Sequence, residues 1–300
     1  MTDKSVWDKE IPVPASLIAY VDDAVIAKLP PGTTPTDIAP SGASYWARTA
    51  KISATDADGN ETAFFMKVHH GDHGKNMVSN EYQSMAILYK AMPELVAEPL
   101  GWGSYQDDPE AYFFLCRFHE MSDDVPDAAE FTELIAKMHK DNPSPTGQFG
   151  FPLVTYGGRN PQFFPVTKSW EECFSTGLKM IFDLEEQTQG PDEELAVLRK
   201  GFFELVIPRL LRPLETEGRT LTPRLVHGDL WDGNTSVDVN TGKLMIFDAT
   251  PLYAHNEYEM GPWWCSRHKM TDQYINEYIK HFQMTDPVED FNDRGLIYNL

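Results

Sequence analysis

The sequence predicts an α+β fold of two lobes, a small antiparallel-sheet lobe over residues 1–118 and a larger, mainly helical lobe over residues 119–300. Three observations carry this. The chain has 300 residues, more than one typical domain needs. Strand-like stretches separated by turn residues crowd between Ser41 and Val68 and recur at Ala111–Phe118. Beyond that point most apolar residues recur at helical spacing.

In chain order, Ala15 to Leu29 predicts one helix, with Leu17, Ile18, Val21, Val25 and Leu29 in phase between proline-rich flanks. Ala43–Ser53 and Thr62–Val68 read as paired strands around the turn Asp56-Ala57-Asp58-Gly59-Asn60. A helix follows from about Asn76 to Met92, its apolar face marked by Val78, Tyr82, Met85 and Tyr89 and its end by Pro93. His69-His70-Gly71-Asp72-His73 lacks the periodicity that would converge its imidazoles on a metal and reads as a solvated turn. Asp127-Ala128-Ala129-Glu130 resembles a capping box before Phe131, Leu134, Ile135 and Met138. Asn142–Pro165, rich in Pro and Gly, predicts an irregular surface loop. Helices are then expected from Ser169-Trp170 to about Thr188 and from Pro191 to about Glu217, the second broken near Pro208.

Chemistry concentrates in Leu225-Val226-His227-Gly228-Asp229-Leu230-Trp231-Asp232-Gly233-Asn234 and Leu244-Met245-Ile246-Phe247-Asp248. His-x-Asp-Leu-x-x-x-Asn followed by a strand-ending Asp is the spacing of kinase-type phosphoryl transfer. One Asp takes or orients the proton of the attacking hydroxyl, and an Asn oxygen with a second carboxylate holds Mg²⁺ against the phosphates. A hairpin from Thr235 to Asp248, turning at Asn240-Thr241-Gly242, would fold Asp248 back beside Asn234. Lys67, inside the apolar Phe64-Phe65-Met66-Lys67-Val68, needs a partner, and Glu81 on the following helix is the candidate. Ser41-Gly42-Ala43-Ser44 stands where a phosphate-covering loop would, although one glycine replaces the usual three. Arg117-Phe118-His119 leaves the strand where a kinase chain passes between lobes and offers backbone to adenine. His255, Glu257 and Glu259 suit either recognition of a polyol or amine or internal bracing of the segment after Asp248.

Composition excludes several classes. The formal charge of −21 argues against nonspecific binding to nucleic acid or anionic membrane, and no apolar run is long enough to span a bilayer. Met1-Thr2-Asp3-Lys4-Ser5 lacks a signal peptide's apolar segment, and three cysteines without ligand spacing point to a reducing, cytoplasmic setting. No His pair has the spacing of a metallohydrolase. A catalytically quiet nucleotide-binding protein and an aminoglycoside- or choline-type kinase remain open alternatives.

His227-Gly228-Asp229-Leu230-Trp231-x-Gly233-Asn234, Ile246-Phe247-Asp248, Tyr253-x-His255-x-Glu257-x-Glu259 and Gly147-Gln148-Phe149-Gly150-Phe151 together resemble the fructosamine kinase (ketosamine-3-kinase) family. That family is related to aminoglycoside phosphotransferases and choline kinases within the protein-kinase-like fold. The resemblance, from about Ser41 to the end, implies ATP- and Mg²⁺-dependent phosphorylation of a ketosamine, fructosamine or ribulosamine, free or protein-bound, at sugar carbon 3. It implies Asp229 as catalytic base, Asn234 and Asp248 as metal ligands, and Lys67, Glu81, Ser41, Gly42, Arg117, Phe118 and His119 around the nucleotide. Trp231, His255, Glu257 and Glu259 would face the substrate. The chain departs from the family in lacking a cysteine in the nucleotide loop. Members also usually continue past the position of Leu300, so a shortened last helix with Leu296, Ile297, Tyr298 and Leu300 exposed is expected.

Overall fold

The structure is a computed structural model that describes residues 13–42, 44 and 46–300. The expectations for Met1–Ser5 and for Ala43 lie outside the described residues. The chain forms two compact units, neither continuous in sequence. One lies within residues 1–122, 158–160 and 237–248, the other within 123–157, 161–236 and 249–300.

The first unit is built on a five-stranded antiparallel sheet in the order β1-β2-β3-β5-β4. Its strands are β1 (Thr34–Pro40), β2 (Arg48–Thr55), β3 (Glu61–His70), β4 (Pro99–Ser104) and β5 (Ala111–Arg117). Strand alternation sends Phe64, Met66 and Val68 of β3 to one face. There they join Ala50, Ile52, Phe113, Leu115 and the N-terminal residues Leu17, Ile18, Val25 and Leu29 in one buried cluster. The β2–β3 turn is the one the sequence shows: Asp56 Oδ1 accepts from the amides of Asp58 and Asn60 at 2.9 and 2.8 Å.

Ala15 to Leu29 is not one helix. A 3-10 turn (Ala15–Ile18) and α1 (Asp23–Ile26) replace it. The Asp22 carboxylate breaks the run by accepting from Ala24 N at 2.8 Å, and it also binds Gln106 N and Asp107 N at 2.9 and 3.1 Å. The histidine-rich stretch is not a turn either. His69 and His70 finish β3, and helix α2 (Gly71–Ala91) begins at once, five residues before the expected start. Gly71, at φ +75°, supplies the reversal that a side chain would resist.

Helices dominate the second unit: α3 (Ala128–Asp141), α4 (Trp170–Gln189), α5 (Glu193–Gly201), α6 (Ile207–Leu211), α7 (Asp272–His281) and α8 (Phe291–Tyr298). The predicted break before Pro208 takes the form of a π turn at Phe202–Val206 between α5 and α6, where proline's missing N–H interrupts the ladder. The Asn142–Pro165 segment is neither wholly irregular, since Thr155–Gly157 and Asn160–Gln162 form a two-stranded sheet, nor purely superficial, since Phe149, Phe151 and Phe164 are buried. Phe149 packs against Trp170 with ring centroids 5.6 Å apart. The last helix also finds more partners than its sequence promises. Ile297 and Tyr298 are buried, and Trp170 Nε1 donates to the Tyr298 hydroxyl at 2.8 Å; Leu296 and Leu300 alone of the four are exposed. Among the described residues no helix is long and apolar enough to cross a membrane.

Arg294 on α8 is fully buried, its guanidinium spanning both Glu257 oxygens at 2.7 and 3.0 Å and the carbonyls of Thr285 and Pro287 at 2.8 and 2.7 Å. Removing one partner of such a pair leaves a buried charge uncompensated, so Arg294→Met should lower the unfolding free energy by ~3–5 kcal/mol in urea titration. A loss below about 1 kcal/mol would show that the pair does not brace the unit.

Candidate active site

In the first unit, Lys67 pairs across the sheet with Thr49 on β2 and Phe114 on β5. Alternation places it on the face opposite Met66, toward α2. Its ammonium lies 2.7 Å from Glu81 Oε1 and 2.6 Å from Asp248 Oδ1. Burial works against the Lys67 charge, but the Asp248 and Glu81 carboxylates outweigh it and hold the ammonium above the ordinary lysine range. The same burial lifts Glu81, against the pull of Lys67. Asp248 remains 52% exposed, whereas Glu81 is 15% exposed, so the two carboxylates are not equivalent. Asp248 is delivered by the strand Leu244–Ile246, which is pinned where Ile246 N donates to Leu95 O at 2.8 Å. It sits at φ +55°, a strained conformation for a non-glycine residue, tolerated best by Asp and Asn.

The other nucleotide candidates of this unit are placed as follows. Ser41 N donates to Thr49 O at 3.1 Å, and Gly42, at φ +79°, continues the β1–β2 connection. The Arg117 guanidinium is turned into the sheet, toward Glu98 and Thr62 at 3.2 and 3.1 Å. The N–H groups of Arg117 and Phe118 donate to Glu98 O and Ala63 O at 2.9 and 3.1 Å, so those two donors are taken and not free for an adenine edge. His119 is the first of the three whose N–H makes no backbone hydrogen bond among the described residues. Its Nδ1 is 2.6 Å from Asp238 Oδ2, and Asp238 also accepts from Asn240 N and Thr241 N at 2.8 and 3.0 Å. One buried carboxylate thus fixes both the connection after β5 and the turn that leads to Asp248. Sequence inspection did not single out Asp238.

In the second unit, the strand Arg224–Val226 pairs with Leu252–Ala254 and hands the chain into His227–Asn234. A buried carboxylate shapes that segment. Glu259 accepts from His227 N at 2.6 Å and Gly228 N at 3.0 Å, while His139 Nε2 lies 3.2 Å away. Burial would raise the Glu259 pKa, but these donors reverse the effect and hold the carboxyl below its usual range. The His139 ring is held in turn by the Tyr278 hydroxyl at 2.6 Å, which accepts from Asn256 Nδ2 at 3.1 Å. Gly228 is required for two reasons: φ is +83°, and a Cβ would collide with the Thr250 carbonyl. Trp263 Nε1 donates to Leu230 O at 2.7 Å. Asn234 Nδ2 donates to the Asp229 carbonyl and carboxylate at 2.8 and 2.9 Å, so the two motif residues are brought together. A cleft of about 570 Å³ opens beside them, lined by Asp229, Trp231, Asp232, Tyr258, Arg267 and His268.

Three expected substrate residues do not line that cleft. His255, Glu257 and Glu259 are 1–2% exposed. His255 bonds to the hydroxyls of Tyr298 and Thr285 at 3.0 and 2.9 Å, Glu257 to Arg294, and Glu259 to the catalytic backbone. Burial also depresses the His255 pKa to about 4, so the ring is neutral. Buried carboxylates need partners more than an exposed reading of the motif suggests. His139 was missed; a histidine four residues after Ile135, on the apolar face of α3, is the signal that could have found it.

Residues 47–300 match the family model described as fructosamine kinase. A chloroplastic protein-ribulosamine 3-kinase of Oryza sativa subsp. japonica is 30% identical over 252 residues, covering 83% of this chain and 68% of the relative. Two solved structures share the fold. A candidate fructosamine-3-kinase from Thermobifida fusca YX-ER1 superposes with a TM-score of 0.66 at 18% identity, over 89% of this chain and 86% of the other. A thermostable mutant of aminoglycoside phosphotransferase APH(4)-Ia, in ternary complex with AMP-PNP and hygromycin B, gives 0.58 at 14% identity, over 93% and 87%.

Glu259→Gln should expose the importance of the carboxylate, because the new NH₂ would face at least one of three donors. The expected outcome is a kcat at least about tenfold lower and a loss of ~1–3 kcal/mol of stability, measured by steady-state kinetics and denaturant unfolding. Turnover within about twofold of the parent would mean that Glu259 does not set the catalytic backbone.

Proposed function

The chain belongs to the fructosamine kinase family, and from that premise we propose that it transfers the γ-phosphoryl group of ATP, with Mg²⁺, to a sugar hydroxyl of a ketosamine. The observation that carries this reading is the Lys67 ammonium bound at 2.7 and 2.6 Å by a buried helix glutamate and an exposed strand-ending aspartate. A charged lysine so fixed is the device by which kinases hold the phosphates of a nucleotide.

Each residue then has a role. Asp229 accepts or orients the proton of the attacking hydroxyl, its carboxylate turned by the Asn234 amide. Because the Asn234 NH₂ is spent on Asp229, its oxygen is the end assigned to a cation, and Asp248 supplies an exposed carboxylate. Such hard oxygen donors suit Mg²⁺, which completes its coordination with phosphates and water rather than an all-protein cage. Among the described residues no cluster of three or more His, Cys, Asp or Glu could hold an ion unaided. When bound, the ion neutralises charge on the β- and γ-phosphates. Trp231 offers an aromatic wall, which attracts the protonated amine of a ketosamine. Glu257 and Glu259 take no part in that recognition. For the adenine edge, the occupied amides of Arg117 and Phe118 leave His119 as the residue of that stretch we assign.

We assign the phosphorylated position to carbon 3, supported by the name of the relative from Oryza sativa. Fructosamines and ribulosamines are both admitted, whether as small molecules or on glycated protein, and the role is repair of glycated amines. Cys116, Cys173 and Cys265 are free thiols, which supports a reducing compartment such as the cytoplasm.

Fructosyl-lysine, ribulosyl-lysine, choline and kanamycin offered in parallel with Mg-ATP should give ADP with the ketosamines; turnover of choline or kanamycin with neither ketosamine would reject the reading. Asp229→Asn should cut kcat by ~10²–10⁴-fold while Mg-ATP binding by calorimetry persists, and Asp248→Asn should weaken that binding. Near-parent turnover by Asp229→Asn would remove it as the base.

A further inference from the structure

The chain carries a formal charge of −21 and only ten arginines. Nine of them are engaged. Arg48 bonds to Val13 O; Arg117, Arg199, Arg209, Arg212, Arg219 and Arg294 pair with carboxylates; Arg224 bonds to Lys140 O; and Arg159 lies over the Trp46 ring. Arg267 makes no hydrogen bond, ion pair or ring contact among the described residues, and it lies on the wall of the cleft that carries Asp229. In so acidic a chain an arginine with no partner of any kind among the described residues is an exception that invites a ligand.

Its neighbours show why it stays unpaired. Asp232, an acid of the catalytic segment on the same cleft wall, is already committed: its Oδ1 lies 3.2 Å from His268 Nδ1 and accepts from Lys269 N at 2.9 Å. The His268 ring in turn rests against Trp231, with centroids 5.0 Å apart. Asp232 therefore ties the backbone on the C-terminal side of Arg267 to the catalytic segment while leaving the guanidinium unclaimed. The cleft then presents a reacting carboxylate, an aromatic wall and an anchored but unpaired cation.

We infer that Arg267 reads an anionic group on the acceptor substrate, so that this enzyme prefers ketosamines bearing a carboxylate on the amine portion or a phosphate on the sugar over neutral ones. This rests on the ketosamine-kinase reading above. A guanidinium presents paired donors that match carboxylate and phosphate oxygens, and it bonds them more strongly than it bonds neutral acceptors. The acidic surface does not forbid such a ligand, because exposed charges beyond ~8 Å are screened at physiological salt.

The test compares N-fructosylglycine with N-fructosylglycinamide, which keeps the amine and loses only the charge, and N-fructosylmethylamine with its 6-phosphate. The parent should use one anionic member at least about tenfold better in kcat/KM than its neutral counterpart, and which pair shows the gap identifies the source of the anion. In Arg267→Gln the KM for that anionic substrate should rise ~10–100-fold, with kcat, the KM for the neutral partner and the KM for ATP within about twofold. Arg267→Lys should recover part of the loss. Equal use of charged and neutral ketosamines by the parent overturns the inference and leaves the ketosamine-kinase reading standing. A fall in kcat on both kinds of substrate in Arg267→Gln also overturns it, by placing the guanidinium on the transferred phosphoryl group instead. If the parent phosphorylates no ketosamine at all, reading and inference fall together.

Discussion

A lysine ammonium removed from water must be repaid in charge, and Lys67 is repaid twice, by Glu81 at 2.7 Å and by Asp248 at 2.6 Å. The rest of the first unit can be understood as the means of keeping that arrangement. Alternation along β3 puts Lys67 opposite the core face of Phe64, Met66 and Val68, so the sheet's own apolar packing aims it. The direct passage from β3 into α2 through Gly71 places Glu81 above the strand. Asp238 and Leu95 hold the two ends of the segment that brings Asp248. One ammonium and two carboxylates leave a net negative charge at an exposed oxygen, the electrostatic setting in which a divalent cation and a polyphosphate can be received together.

The catalytic segment of the second unit depends on a different buried charge. Backbone N–H groups at a tight, positive-φ bend have no regular partner, and Glu259 supplies one for two successive residues. The carboxylate is affordable there because His139 completes its coordination and Tyr278 fixes the ring of His139. Position is thereby transmitted from the helical core to Asp229 without any of these side chains entering the cleft. The His255 and Glu257 contacts serve the same end from the other side, fastening the segment to α8 through Tyr298 and Arg294.

Much of this was legible in the sequence, and the limits are physical. Strands β2, β3 and β5 showed in the pattern around Asp56–Asn60 and at Ala111–Phe118, and α3 to α6 in their apolar spacing, because both signals are local; β1, β4 and α7 were not read. The Lys67–Glu81 partnership was legible because a lysine in an apolar strand demands a counter-charge. The split of the N-terminal helix was not, since it rests on Asp22 meeting Gln106 and Asp107, more than eighty residues away. His255, Glu257 and Glu259 were misread toward the substrate for a related reason: a motif shows which residues are polar, but only packing shows that they are buried. That Arg267 has no partner among the described residues is a property of their contact network, and no sequence pattern announces it.

Phosphorus NMR of fructosyl-lysine incubated with Mg-ATP and the full chain tests the central claim most directly, because it reports both transfer and position. The account predicts equal loss of the γ-phosphate resonance and gain of one phosphomonoester, coupled to the proton on carbon 3 of the sugar. ATP left intact, or ADP formed with inorganic phosphate as the only new phosphorus species, would contradict it.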